Sequence, residues 1–492
     1  MSGKKNRIPN AVAKGRRKSA YDRLLSSERL RGTTDRTREP DLETFSDKGR
    51  IVRSAPFRRL QSKAQVFSMA RTGAVRTRLT HSLEVANYGE LIAEKLARQL
   101  VDRGSLEAKL QFPFVQTVEN ACLLHDIGNP PFGHMGEYAI REWFKQNNPE
   151  LINHCVSMDK ITREEATRHL EAYSSFDGNP HGFRIITRLQ WLNDEFGMNL
   201  TCSLLGSYLK YLGTRAEKDK KFLKKIGFFP SEEQFVKLVW QRLELRTEEN
   251  GLPAQRHPLT FVMEAADDIA YCLSDIEDAI EKHVVSERKF LEWTRSKRVN
   301  LEGWVPGIKK KAFLMENGVF HFFRLSLSRD LVNRAVNAYL QHEDEILDGS
   351  IEKSLFGTDP EATRCLDLLK EFSSINVYTS REAIETELVG LNAITGLLNQ
   401  YKAILLLPTS EFDKISSSRN KERLSDYPIL SLLFTLLPKK HLLAYGWNRR
   451  KLPALEPIFR TQLVVDYVAG MTDSHVLKIF NMMNGTQQFG LE

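Results

Sequence analysis

Apolar residues recur at three- and four-residue spacing through most of the chain, most clearly over Leu83 to Leu100, Val115 to Leu124, Phe261 to Ile280 and Ala383 to Leu407. Each run predicts an amphipathic helix with one face turned to a core. Alternating strand patterns are scarce, and a short strand or hairpin is expected only near Gly318 to Phe323. Charged, turn-rich stretches at Thr214 to Lys225 and Asp413 to Arg423 predict exposed loops. The pattern therefore predicts an all-α fold: a basic, partly flexible arm over 1–45, a helical-bundle core over 46–290, and a C-terminal helical region over 291–492, with few or no strands.

Composition changes this picture in three places. Hydrophobic residues make up 41% and charged residues 27%, enough for a sizeable core and against extensive disorder. No apolar run approaches the roughly 20 residues that span a bilayer. The N-terminus, MSGKKNRIPNAVAKGRRK, lacks the apolar centre of a signal peptide, so a cytoplasmic protein with no membrane partner is expected. The cysteines Cys122, Cys155, Cys202, Cys272 and Cys365 are odd in number and widely spaced, which predicts buried, reduced thiols rather than disulfides or a thiolate zinc site. Net charge is +8, and all of it is local: residues 1–40 hold twelve Lys or Arg against four Asp or Glu. Such an arm suits nucleic-acid phosphates or an anionic nucleotide, and equally a solvated terminus.

The segment His125 to Glu137, HDIGNPPFGHMGE, carries the most chemistry. It begins where the apolar helix through Leu124 is stopped by Gly128, Pro130 and Pro131. His125 and Asp126 then offer an imidazole nitrogen and a carboxylate oxygen at a helix end, a pairing suited to one divalent ion with open positions. His81, after Arg78-Leu79-Thr80, offers a third ligand. Asp267 offers a fourth, because Asp267, Tyr271 and Asp275 fall at i, i+4 and i+8 on one face of an apolar helix; Asp268 is the rival. His134 and Glu137, three apart on the next helix, form either a proton-transfer pair or a plain structural pair.

The order His81, His125-Asp126, Asp267 resembles the HD phosphohydrolase superfamily. RSAPFRRLQSKAQVF, RTRLTHSLEV, HDIGNPPFGHMGE, FDGNPHGFRI, EAADDIAYCLSDIEDAI and DYVAGMTD, spread over residues 53–473, are similar to the deoxyguanosine triphosphate triphosphohydrolases. The resemblance implies cleavage of a deoxynucleoside triphosphate at its α-phosphorus to nucleoside and tripolyphosphate. It implies a divalent metal (Mn or Mg, with Fe as a third choice) held by His81, His125, Asp126 and Asp267, and catalysis by His134 and Glu137. Arg78, Asn129, Lys210 and Lys225 are then candidates for the phosphates. Gln65, Val66, Tyr271, Asp275 and Asn179 are candidates for the sugar side, with the Tyr271 ring packed at C2′. Tyr378 joins the nucleotide pocket, and Glu387 is the candidate acceptor for guanine N1–H and the 2-amino group. Asn129 as a helix cap, Asn179 as a turn residue and Glu387 as a polar-face residue are the structural alternatives.

Family likeness further implies a homo-oligomer (dimer to hexamer) and regulation by single-stranded DNA or an effector dNTP. Two other functions share the HD ligands: a phosphohydrolase of a guanine signalling nucleotide, and a nucleotide or nucleic-acid sensor that only uses the pocket. The sugar-side motifs weigh against the first and the His134–Glu137 pair against the second.

Overall fold

The computed structural model describes residues 10–31, 39–67, 75–158, 161–190, 194–215, 224–297, 305, 318–417 and 427–486. Among these, structure is helical with only isolated bridges such as Ala64 with Thr77. The helices used below are α1 (Asn10–Leu24), α2 (Pro40–Val52), α3 (Arg78–Asp102), α4 (Gln111–Leu124), α5 (Gly133–Ser157), α6 (Gly178–Arg184), α7 (Pro258–Glu281), α8 (Val319–Gln341), α9 (Pro360–Asn376), α10 (Arg381–Leu405), α11 (Thr409–Ser417), α12 (Lys439–Lys451), α13 (Glu456–Ala469) and α14 (Asp473–Met483). Local chemistry sets their ends. Thr77 and Thr80 cap α3 reciprocally, each side chain accepting the other's backbone N–H. Pro258 occupies the first position of α7, where its missing N–H costs nothing, and the His257 ring accepts the Leu259 N–H.

Two apolar clusters organise these helices. The first joins residues of α1, α3, α4, α7, α8 and α9, among them Tyr21, Leu96, Val118, Ile269, Leu331 and Leu369. The second joins α5, α10, α13 and α14 through Phe144, Leu397, Val464 and Ile479. The first cluster draws residues from both sides of position 290, so the packing interleaves along the chain. Arg184, fully buried, ties the two: it pairs with Glu232 at 2.7 Å and with Asp466 of α13 at 2.7 Å. A buried cation is tolerable because these carboxylates satisfy it.

Glycines let the clusters meet closely. A Cβ on Gly128 would lie 2.1 Å from both Gly178 O and Gly182 N, and one on Gly182 would lie 1.9 Å from the Tyr208 hydroxyl. The HDIGN turn thus sits backbone to backbone on the FDGNPHGF turn, and His181 Nδ1 bonds Gly128 O at 2.8 Å to hold it there.

Three expectations change. Gly318 to Phe323 is not a strand: Glu287 accepts the N–H groups of Gly318, Val319 and Phe320, capping α8, while Phe320 and Phe323, one turn apart, pack on Phe290. Asp413 to Ser417 is not loop but the end of α11, because Phe412 and Ile415 bury themselves in the second cluster; 418–423 lie outside the described residues. Within the basic arm, 10–24 form α1, and several of the arm's described cations have acidic partners. Arg17 bonds Asp344 at 2.7 Å, Lys18 meets Glu107 at 2.6 Å, and buried Arg29 pairs with Glu43 and Asp47. Residues 1–9 and 32–38 of the arm lie outside the described set, as do 216–223 of the expected loop from Thr214 to Lys225. All five cysteines are free and buried. No described helix is long and apolar enough to cross a membrane.

Candidate active site

His81 lies in the first turn of α3, His125 caps the end of α4 with Asp126 beyond it, and Asp267 lies on α7. These three helices pack on one another within the first cluster, which brings the four side chains together. His81, His125 and Asp126 each place a donor atom within 4.8 Å of the others. Asp267 Oδ1 approaches from the histidine side, 3.5 Å from His81 Nε2 and 3.6 Å from His125 Nε2. His125 Nδ1 donates to Cys122 O at 2.7 Å, which turns Nε2 toward the cluster. That Nε2 is buried without a hydrogen-bond partner. An orphaned imidazole nitrogen among two carboxylates and a second histidine fits a divalent cation with N/O ligands.

The surroundings are built to keep these carboxylates ionised. Asp126 accepts Arg78 Nη1 at 2.7 Å on one oxygen and Asn129 Nδ2 at 2.6 Å on the other. Burial alone would raise its pKa, but His125, Arg78 and His81 outweigh burial and hold the carboxyl down to about 2. For Asp267, burial is likewise overcome by His125, His81 and Lys210, and the group sits well below the usual carboxylate range. Asp268 differs. It bonds Lys370 at 2.8 Å, and burial raises its pKa in spite of that lysine. The geometry therefore aims Asp267, not Asp268, at the histidines.

Beside this cluster, α5 begins after the Pro130-Pro131 turn with Phe132 in the left-handed region (φ 59°). His134 Nδ1 stands 3.0 Å from Glu137 Oε2, and Gly178 N donates to Glu137 Oε1 at 2.8 Å. Glu137 is buried while the His134 side chain is 79% exposed, so the imidazole reaches out and its carboxylate is anchored behind it. A Cβ on Gly133 would meet Arg78 Nη2 at 2.4 Å; glycine there makes room for the guanidinium.

A cavity of about 570 Å³ opens over both groups, a size suited to a small-molecule ligand. Every residue singled out from the sequence lines it: the four metal candidates, His134 and Glu137, then Gln65, Val66, Arg78, Asn129, Asn179, Lys210, Lys225, Tyr271, Asp275, Tyr378 and Glu387. Their partners refine the picture. Arg78 and Asn129 grip Asp126 as well as facing the cavity. Lys210 lies 3.6 Å from Asp267 and 3.9 Å from Glu264, and these acids raise its pKa against burial. Lys225 pairs with Asp177 at 2.6 Å, and Asn179 bonds the same carboxylate. Gln65 Oε1 is buried without a partner.

At the far end, the Tyr378 hydroxyl lies 2.7 Å from the Tyr271 hydroxyl and 2.5 Å from Asp275. Burial pushes Asp275 up to about 6, with the Tyr378 bond opposing. Glu387, half-buried on α10, is raised by burial, with nearby His134 opposing.

Lys370, Asp177, Tyr208 and Thr386 also line the cavity and were not foreseen. Asp177 had a readable signal, as the residue before Gly178 in FDGNPHGF. Lys370, a lone lysine on a helix, had none.

A family model described as HD domain matches residues 78–189, the stretch from Arg78 through the FDGNPHGF turn. The chain is 34% identical to the deoxyguanosinetriphosphate triphosphohydrolase of Salmonella paratyphi A, over 90% of this chain and 94% of that protein. It is 34% identical to those of Cronobacter sakazakii and Yersinia enterocolitica, in each case over 87% of this chain and 91% of the relative.

Proposed function

The chain belongs to the deoxyguanosinetriphosphate triphosphohydrolase family, and on that premise we propose that it hydrolyses dGTP, with other dNTPs as lesser substrates, to deoxynucleoside and tripolyphosphate. The observation that carries this reading is the sharing of one cavity by the His81, His125, Asp126 and Asp267 donor set and the anchored His134–Glu137 pair.

A divalent cation held by those four residues, Mn or Mg by preference and Fe as the third choice, supplies Lewis-acid polarisation at the reacting phosphate. The remaining work falls to the chain. Arg78, Lys210 and Lys225 present positive charge to the triphosphate, and Asn129 adds a donor beside Asp126. Water attacks the α-phosphorus, forming a P–O bond as the bond to the 5′ oxygen breaks. His134 exchanges a proton at that centre, with the departing 5′ oxygen or the attacking water, while Glu137 sets its tautomer. Gln65, whose buried oxygen awaits a donor, and the Val66 backbone meet the sugar side. The Tyr271 ring packs at C2′ and Asp275 meets the 3′ hydroxyl, so a 2′ hydroxyl would be forced against the ring. Asn179 and Tyr378 complete the wall, and Glu387 meets the base.

The test is to incubate the protein and its His134→Ala variant with Mn²⁺ and each dNTP and rNTP, then resolve the products. Nucleoside plus tripolyphosphate from dGTP, lost in the variant, supports the reading. Release of orthophosphate or pyrophosphate, or no turnover, moves it to a signalling-nucleotide hydrolase or a sensor. A cytoplasmic homo-oligomer, from dimer to hexamer, is the proposed working form, regulated by an effector dNTP or by single-stranded DNA. The DNA role rests on the basic N-terminus, and salt-sensitive binding unchanged by deletion of residues 1–40 would remove it.

A further inference from the structure

Ala64 and Phe132 both line the cavity, and their backbone N–H groups, far apart in sequence, end on one side chain. Asp473 Oδ1 accepts the Phe132 N–H at 3.0 Å and Asp473 Oδ2 accepts the Ala64 N–H at 3.0 Å. Asp473 is the first residue of α14, buried to 4% exposure, and stands 341 and 409 residues along the chain from its two partners.

Each tethered amide belongs to a working segment. Ala64 immediately precedes Gln65 and Val66, which line the cavity. Phe132 stands two residues before His134 in a left-handed conformation that a bulky residue keeps only when its surroundings over-determine it. The Phe132 ring also fills the space over Gly390, where a Cβ would meet it at 2.4 Å, so the same turn seats α10 and with it Glu387. Lys63 braces the junction from below: its buried ammonium donates to Asn129 O and Ala469 O.

We propose that Asp473 is a positioning residue whose carboxylate, by accepting both amides, holds the Gln65–Val66 strap and the His134 turn at one spacing across the nucleotide. A carboxylate is needed because it accepts on both oxygens. The amide of Asn, equal in shape, turns its NH2 toward one of the two N–H donors and loses that tether. The proposal rests on the functional reading above for its kinetic consequence, but the tether itself is measurable without turnover.

The experiment compares the full-length protein with Asp473→Asn by hydrogen exchange and by steady-state kinetics on dGTP with Mn²⁺. Expected is exchange about tenfold faster in peptides covering 60–67 and 129–136, with α13 unchanged, and a kcat about ten- to a hundredfold lower. Exchange that rises equally across α13 and α14 makes Asp473 a plain anchor of the C-terminal helices and overturns the proposal. So do unchanged exchange in either segment, and faster exchange with kcat and KM unaltered. If dGTP is not turned over even by the wild type, the functional reading fails while the exchange comparison still decides the tether. Asp473→Ser, which keeps one acceptor and places no amide against the N–H groups, supplies the same comparison should Asp473→Asn not fold.

Discussion

Glu137 Oε2 stands 3.0 Å from His134 Nδ1 while Glu137 Oε1 accepts the Gly178 amide at 2.8 Å, so the carboxylate that orients the imidazole is itself held by the FDGNPHGF turn. A proton on Nδ1 facing Glu137 leaves Nε2 for the cavity. Glu137→Gln keeps the shape and removes the charge that stabilises a protonated imidazole. Its kcat is expected to fall about 10²- to 10⁴-fold with KM for dGTP little changed. Steady-state kinetics decide it, and a kcat within threefold of wild type would take the pair out of the chemistry.

The two adjacent aspartates make opposite predictions. Asp267 faces the histidines, whereas Asp268 bonds Lys370. A ligand that binds only the folded protein stabilises it by about 2.7 kcal/mol at a hundred times its Kd. Added Mn²⁺ should therefore raise the melting temperature of the wild type and of Asp268→Asn, and EDTA should reverse the gain. Asp267→Asn and His125→Ala should show no metal-dependent rise. A full response in Asp267→Asn would exclude that residue as a ligand.

How much of this was readable from the sequence follows from the range of the forces involved. Helix periodicity is local, and α3, α4, α7 and α10 fall where apolar spacing places them, within a few residues at each end. Ligand types at a Gly/Pro-broken helix end are also local, which is why His125 and Asp126 were visible. Asp473 closes the DYVAGMTD motif, but its role was not readable there, because that role lies in two amides hundreds of residues away and after Thr472 it reads as an ordinary first-turn acid. Gly318 to Phe323 misled for a related reason: the aromatic run reads as strand until Glu287 caps it and Phe290 receives its rings. The +8 of the arm read as free positive charge, but Arg17, Lys18 and Arg29 had acidic partners elsewhere in the chain.

Acid should unfold the protein through its buried neutral histidines. His257 accepts the Leu259 N–H at Nδ1 and bonds Leu24 O through Nε2, and burial lowers its pKa to about 4. The unfolded chain takes up a proton near pH 6.5 and the folded chain does not, so stability falls as pH drops from about 6.5 toward 4, by roughly 1.4 kcal/mol per unit for this group. His181, lowered to about 3, and His169, lowered to about 4, act in the same direction. In urea titrations at pH 7.5 and 5.5, His257→Asn should show a visibly smaller loss between the two than wild type. Parallel losses would assign the acid sensitivity elsewhere.

Gly128→Ala tests the backbone contact beneath the HDIGN turn. The added methyl would meet Gly178 O and Gly182 N at 2.1 Å, and neither is a flexible side-chain end. The turn must lift away from the FDGNPHGF segment, at a cost of about 1–3 kcal/mol by analogy with overpacked cores. Because Gly178 also anchors Glu137, activity should fall more than stability. A variant with wild-type melting temperature and kcat would show that the turns tolerate separation.

Glu387 carries the base preference in this reading, and its surroundings set the size of the effect. A single carboxylate accepts from both N1–H and the 2-amino group of guanine, whereas adenine offers no such pair of donors. Discrimination against a substrate that leaves a buried polar group unpaired is far larger than discrimination by apolar shape, and Glu387 is only half-buried. A moderate preference is therefore expected, with the dGTP to dATP ratio of kcat/KM falling about ten- to a hundredfold in Glu387→Gln and mainly through dGTP. Burial raises the pKa of Glu387 while His134 opposes it, so the preference for dGTP should weaken as pH falls toward the carboxyl range, because a protonated acid loses one of its two acceptors. Equal loss of kcat/KM for every dNTP would place Glu387 with His134 in the chemistry instead of with the base.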